Sequence, residues 1–147
     1  MGWGTAVFLV WSGALSVHDV RRRRLPDVWT MGGGVVTLIV SMAMGGAPWA
    51  LLGAALWFSL YLVMGIGGVI GGGDVKFSIG LGAWIGWMCA EHTVWAVVIA
   101  ITVAALVSAI IGVLARSRTV AHGPSMLAGT VVAAYFFGPG IPWEVFA

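Results

Sequence analysis

Long apolar runs alternate along this chain with short charged clusters, at a spacing close to one bilayer crossing. The first run starts at Trp3 and ends at His18-Asp19 and the arginines at 21–24. A second, residues 28–73, contains no charged residue at all. A helix crosses the hydrocarbon in about 20 residues, so that run holds two helices, with Gly45-Gly46-Ala47-Pro48 as the turn between them. Gly71-Gly72-Gly73 breaks the third helix from the fourth, Glu91-His92 is a polar turn, and Arg116 and Arg118 mark the next loop. The pattern predicts six spans, at about 3–19, 28–44, 49–70, 74–90, 93–115 and from 124 to just before Gly138-Pro139-Gly140.

Composition removes the soluble alternative. Of 147 residues, 61% are hydrophobic and 8% charged, against about 25% charged in an ordinary soluble domain. The 23 glycines and 9 tryptophans suit close helix approach and interfacial anchoring. The expected fold is an all-α integral membrane bundle of six transmembrane helices. It forms a single domain over residues 1–147, with no soluble domain. An apolar N-terminus faintly resembles a signal peptide, but the arginines follow it instead of preceding it, so it is expected to be retained.

Charge sets the orientation. All seven basic residues fall in the first, third and fifth connections or beside them. The positive-inside rule then puts those connections in the cytoplasm and both termini outside it. The arginine run at 21–24 has the composition of a nucleic-acid patch. Wedged between apolar runs it reads as an anchor, and no nucleic-acid partner is expected. Cys89 is the only cysteine, which excludes an intrachain disulfide and a paired-cysteine zinc site. No metal or cofactor is expected.

Two carboxylates then stand out. Asp19 ends the first span and Asp74 opens the fourth, in Gly71-Gly72-Gly73-Asp74-Val75-Lys76. An ionised carboxylate is costly at membrane depth. Asp19 has a bland explanation, pairing with Arg22 or Arg23 one turn on, and so has Asp74, as a helix N-cap. The glycines do more than a cap requires, because they let the backbone unwind and another backbone approach. Two carboxyl groups within reach of each other cannot comfortably both ionise, and such a pair can activate a water and protonate a leaving amine. Asp27, after Leu25-Pro26, reads mainly as a structural N-cap. Lys76 and His122 read as interfacial residues, His18 as pointing away from the Asp19 carboxylate, and Gly82 and Gly86 as a packing seam.

Taken together, Asp19 with its basic run, Leu25-Pro26-Asp27, Gly71-Gly72-Gly73-Asp74-Val75-Lys76 and Gly123-Pro124 at the start of the last span resemble the type IV prepilin peptidase family. These are GxGD intramembrane aspartyl proteases. The resemblance implies Asp19 and Asp74 as catalytic residues, with Gly71, Gly72, Gly73, Lys76, Asp27, Gly123 and Pro124 binding substrate or shaping the site. It implies a pilin-like precursor as partner, whose short basic leader is removed at the cytoplasmic face, typically after a glycine. The host membrane would be the inner membrane of a prokaryote. The larger members carry an N-terminal region with cysteine pairs and an N-methyltransferase activity. This chain looks like the short, peptidase-only form of tight-adherence or Flp pili, for which methylation is not expected. The competing expectations are a small proton-coupled transporter, since intramembrane carboxylates also mark ion pathways, and a non-catalytic scaffold for pilus assembly.

Overall fold

The computed structural model describes residues 3–117 and 119–139; Arg118 and Gly140 lie outside the described residues. Six α-helices follow one another: α1 (Trp3–Arg22), α2 (Asp27–Ser41), α3 (Ala47–Ile66), α4 (Gly72–Cys89), α5 (Thr93–Leu114) and α6 (Gly123–Phe137). Every regular element among the described residues is helical. Two continuous helical stretches, Asp27–Ile66 with 40 residues and Gly72–Leu114 with 43, are long and apolar enough to cross a membrane. Each holds two helices joined by a tight segment, a π-turn at Met42–Gly46 in the first and a 3₁₀ turn at Ala90–His92 in the second. The protein is all-α and has the apolar character of a membrane protein.

The helix limits differ from the expected ones in an instructive way. Gly45 takes the predicted turn with φ of 88°, and Ala47-Pro48 already belongs to α3. Proline tolerates that first turn because its missing N–H would have no partner there. α3 stops at Ile66, and the chain reverses through Gly67 and Gly68, the latter at φ 72°. The triple glycine therefore does not break α3. Gly71 caps α4 in an extended conformation, while Gly72 and Gly73 are its first two residues. Asp74 is the third residue of the helix and not its N-cap. Asp27 is likewise the first helical residue, with Pro26 as the cap before it.

α4 is the middle of the bundle. Its buried residues run almost unbroken from Phe77 to Gly86 and lie on all sides of the helix, as expected for a helix covered all round. It packs most extensively on α3 and α2, and also meets α5 and α6. In lipid the hydrophobic effect does not drive helices together, so packing of small residues has to do it. The seam between α3 and α4 shows how. A Cβ at Gly82 would strike the Gly53 carbonyl, and one at Gly86 the Trp49 carbonyl. Gly82 and Gly86 therefore form the packing seam that their spacing predicted. On the α1 side, Phe8 stacks on Trp84 with ring centroids 4.4 Å apart, and the Trp11 indole donates to the Trp29 carbonyl at 3.0 Å. The outer faces carry exposed Val, Leu, Ile and Met side chains, such as Val36, Val63, Leu106 and Ile110.

The first, third and fifth connections meet at one end. The Arg23 guanidinium donates to Thr119 Oγ1 at 2.8 Å, and a Cβ at Gly73 would lie 2.8 Å from Leu25 Cβ. Lys76 pairs with Asp27 at 2.7 Å, with the two side chains 33% and 66% exposed. Lys76 thus ties α4 to α2, where the sequence pointed to an interfacial anchor. An ion pair this open to solvent contributes at most about 1 kcal/mol. Lys76→Met is expected to shift the thermal midpoint in detergent only slightly; a large drop would mean that the pair matters more than its exposure allows.

Candidate active site

The end where these connections meet contains both aspartates. Asp19 lies in the last turn of α1 and is only 6% exposed. Its Oδ2 accepts a hydrogen bond from the Gly123 backbone N–H at 2.9 Å. That amide is available because it belongs to the first turn of α6, where N–H groups have no helical partner. Asp19 is therefore held by a helix start 104 residues away, and not by the arginines next to it. Gly123 has to be small for this, because a Cβ there would lie 3.0 Å from the same oxygen.

Asp74 stands opposite, half-buried in the first turn of α4, with its backbone N–H bonded to the Gly71 carbonyl at 3.0 Å. Gly71 has no Cβ to crowd the Asp74 carboxylate, which would lie 3.3 Å from one. Asp19 and Asp74 line a single cleft of about 290 Å³, together with Arg23, Arg24, Leu25 and the three glycines. The close neighbour of Gly73 within the chain is Leu25, whose Cβ would lie 2.8 Å from a Cβ at that glycine.

Three side chains extend this cluster. The Tyr61 hydroxyl lies 2.9 Å from His122 Nε2, and the Ser108 hydroxyl 2.7 Å from His122 Nδ1. A neutral imidazole has one donor and one acceptor nitrogen, so one hydroxyl donates to the ring and the other accepts from it. Burial lowers the pKa of His122 below the ordinary histidine value, against the opposing pull of Asp19, and so favours that neutral form. Tyr61 is buried on α3, edge-on to Trp57 with ring centroids 5.9 Å apart, and lines a second space together with Asp74. His122 is thus the link between α3, α5 and the start of α6, a larger role than the interfacial one its sequence position implied.

The residues singled out from the sequence divide into two groups. Asp19, Asp74, Gly71, Gly72, Gly73 and Gly123 come together. Lys76 and Asp27 bind each other outside the lining of the cleft. Pro124, the second residue of α6, faces a neighbouring groove with Val20 and Arg23. His18 packs toward Trp29, with rings 6.2 Å apart. Tyr61 and Ser108 had no signal in the sequence, because a tyrosine or serine within an apolar run looks the same whether it lines a site or fills a core.

Comparison with known proteins adds one finding to this geometry. The model of the type IV leader peptidase family matches residues 6–138, most of the chain. No curated protein and no solved structure matches it.

Proposed function

We propose, given that the chain belongs to the type IV leader peptidase family, that Asp19 and Asp74 are its catalytic pair. The membership makes it a peptidase acting in general on pilin-type precursors. The observation that supports the finer reading is the shared cleft, which aspartates from two different helices line together. One carboxylate takes a proton from a water as it attacks the scissile carbonyl, and the partner carboxyl protonates the departing amine. Gly123 N–H fixes the direction of one carboxyl group, and the first turn of α4 fixes the other.

The remaining assignments follow from the same reading. All six helices span the inner membrane of a prokaryote, the end with Arg23, Arg24 and Lys76 faces the cytoplasm, and both termini lie outside. The substrate is a pilin-like precursor with a short basic leader and an apolar first helix, cleaved without methylation of the product. Asp19 lies in the last turn of α1 and Asp74 in the first turn of α4, beside the basic connections, which disfavours a carrier whose carboxylates would sit halfway along the helices. The test is co-expression of a pilin-like precursor with the wild type, Asp19→Asn or Asp74→Asn, scored by the size of the processed pilin. Normal processing by either variant would remove the pair.

Gly123→Ala probes the same geometry more gently. An added methyl group must push the Asp19 carboxylate or α6 aside by a few tenths of an ångström. Small misplacements of a reacting group can cost up to about 100-fold in rate. A fall in kcat of roughly tenfold, with the thermal midpoint nearly unchanged, is the expected result. An unchanged kcat would show that the Asp19–Gly123 contact does not set the position that matters.

A further inference from the structure

Asp74 borders two spaces, the second more apolar than the first. One is the cleft shared with Asp19, lined by Arg23 and Arg24. The other, of about 410 Å³, lies between α3 and α5 and is bordered at one end by the connections on either side. Tyr61, Ser108 and His122 give it polar groups, and Met64, Ile101 and Ala105 give it apolar ones. Gly71 and Asp74 are the residues common to both spaces. Met64 and Ala105 are exposed on the outer surface, among the exposed Val63, Ile66 and Leu106. The second space therefore reaches an apolar lateral face at Met64 and Ala105 as well as the exposed Val69 and Thr119 of the connections, and the first opens among arginines. A third groove, beside Trp3, Phe8 and Trp11, borders neither carboxylate. It lies about 12 Å or more along α1 from Asp19, at 1.5 Å per residue.

We infer that the cavity between α3 and α5 receives the apolar segment that follows the scissile bond, entering sideways from the membrane, while the arginine-lined cleft holds the end of the leader. This rests on the peptidase reading above. Polarity decides the direction. Drawing a basic leader through an apolar side opening would expose each charge to a penalty of about 2.5–3.5 kcal/mol. An apolar segment already in lipid meets no such penalty. The arginines repel the basic residues of the leader, so the cleft admits its uncharged end and leaves the charges in water. Tyr61 and Ser108, both held by His122, stand where the apolar segment leaves Asp74, and their hydroxyls keep spare hydrogen-bonding capacity for the one stretch of substrate backbone that is not yet helical.

The test uses full-length protein in liposomes and a synthetic precursor, a basic leader ending in glycine followed by an apolar helix of about 20 residues. Benzoylphenylalanine is placed at position 105 or at position 24 of the Asp19→Asn protein, which holds the peptide uncleaved. Light should join position 105 to the apolar segment just after the glycine, and position 24 to the leader. Labelling of the leader from position 105, or capture of peptide from position 24 alone, overturns the assignment. Ala105→Trp, with both aspartates intact, is expected to raise KM about tenfold while kcat stays within about twofold, as for a pocket contact made equally in ground and transition states. An unchanged KM overturns it as well. Cleavage of the same peptide by the wild type separates the two ideas. No cleavage defeats the peptidase reading and the inference with it, whereas cleavage with misplaced labels defeats the cavity assignment alone.

Discussion

Replacing either aspartate by asparagine is expected to lower kcat/KM by at least about 1000-fold, within the range that loss of a general acid or base produces. Asparagine has nearly the same shape, and its carbonyl oxygen can still accept the Gly123 N–H that now holds Asp19 at 2.9 Å. The fold around the cleft should survive, so the loss would report chemistry and not collapse. An amide cannot take up or release the proton that the reaction moves. Because the two carboxyl groups act as one unit, Asp19→Asn/Asp74→Asn is expected to be no slower than either single variant. Multiplying losses in the double variant would mean that the residues act independently. The wild type should show a bell-shaped dependence of rate on pH, since the pair works only when it holds one proton between its two members. The measurement is cleavage of a purified precursor in detergent, with thermal unfolding of each variant as the control for folding.

The largest effect on stability is expected from Gly86→Val. At this position α4 lies so close to α3 that a Cβ would collide with the Trp49 carbonyl, and Ala50 Cα would be 3.0 Å away. Backbone cannot yield as a flexible side chain can, so the two helices must separate. Overpacking of this kind costs about 1–3 kcal/mol and at times more, and apolar area regained from lipid offers no compensation. The thermal midpoint in detergent should fall markedly. Activity should fall with it, because the same helix carries Asp74. Gly13→Ala is the matched control, since a Cβ there meets nothing within 4 Å. Alanine also favours a helix interior by up to about 1 kcal/mol over glycine. Equal midpoints for the two variants would show that the α3–α4 seam does not carry the packing.

Much of this was legible in the sequence because the bilayer imposes strong rules. Charge scarcity, run length and glycine or proline turns located all six helices to within a few residues, since a membrane helix must be long, apolar and ended by something polar or flexible. The GxxxG spacing of Gly82 and Gly86 gave the seam for a similar reason, as only small residues permit that approach. The misplacements were local. Gly71-Gly72-Gly73 looked like a break, whereas Gly67-Gly68 makes the turn and the triple glycine starts α4. Any glycine-rich stretch offers several places to reverse, and the contact of Leu25 with Gly73 decides among them.

By itself the sequence determined the helices, their apolar character, the gathering of basic residues on alternate connections, and Asp19 and Asp74 as charges needing an explanation. Tertiary structure alone decided what surrounds them. It took the Gly123 amide and not an arginine to hold Asp19, it paired Lys76 with Asp27, and it joined Tyr61, Ser108 and His122 into one cluster beside Asp74. The reason is one of range. Helix formation and membrane partition depend on neighbours along the chain, whereas a hydrogen bond between residues 104 positions apart exists only once the helices have packed.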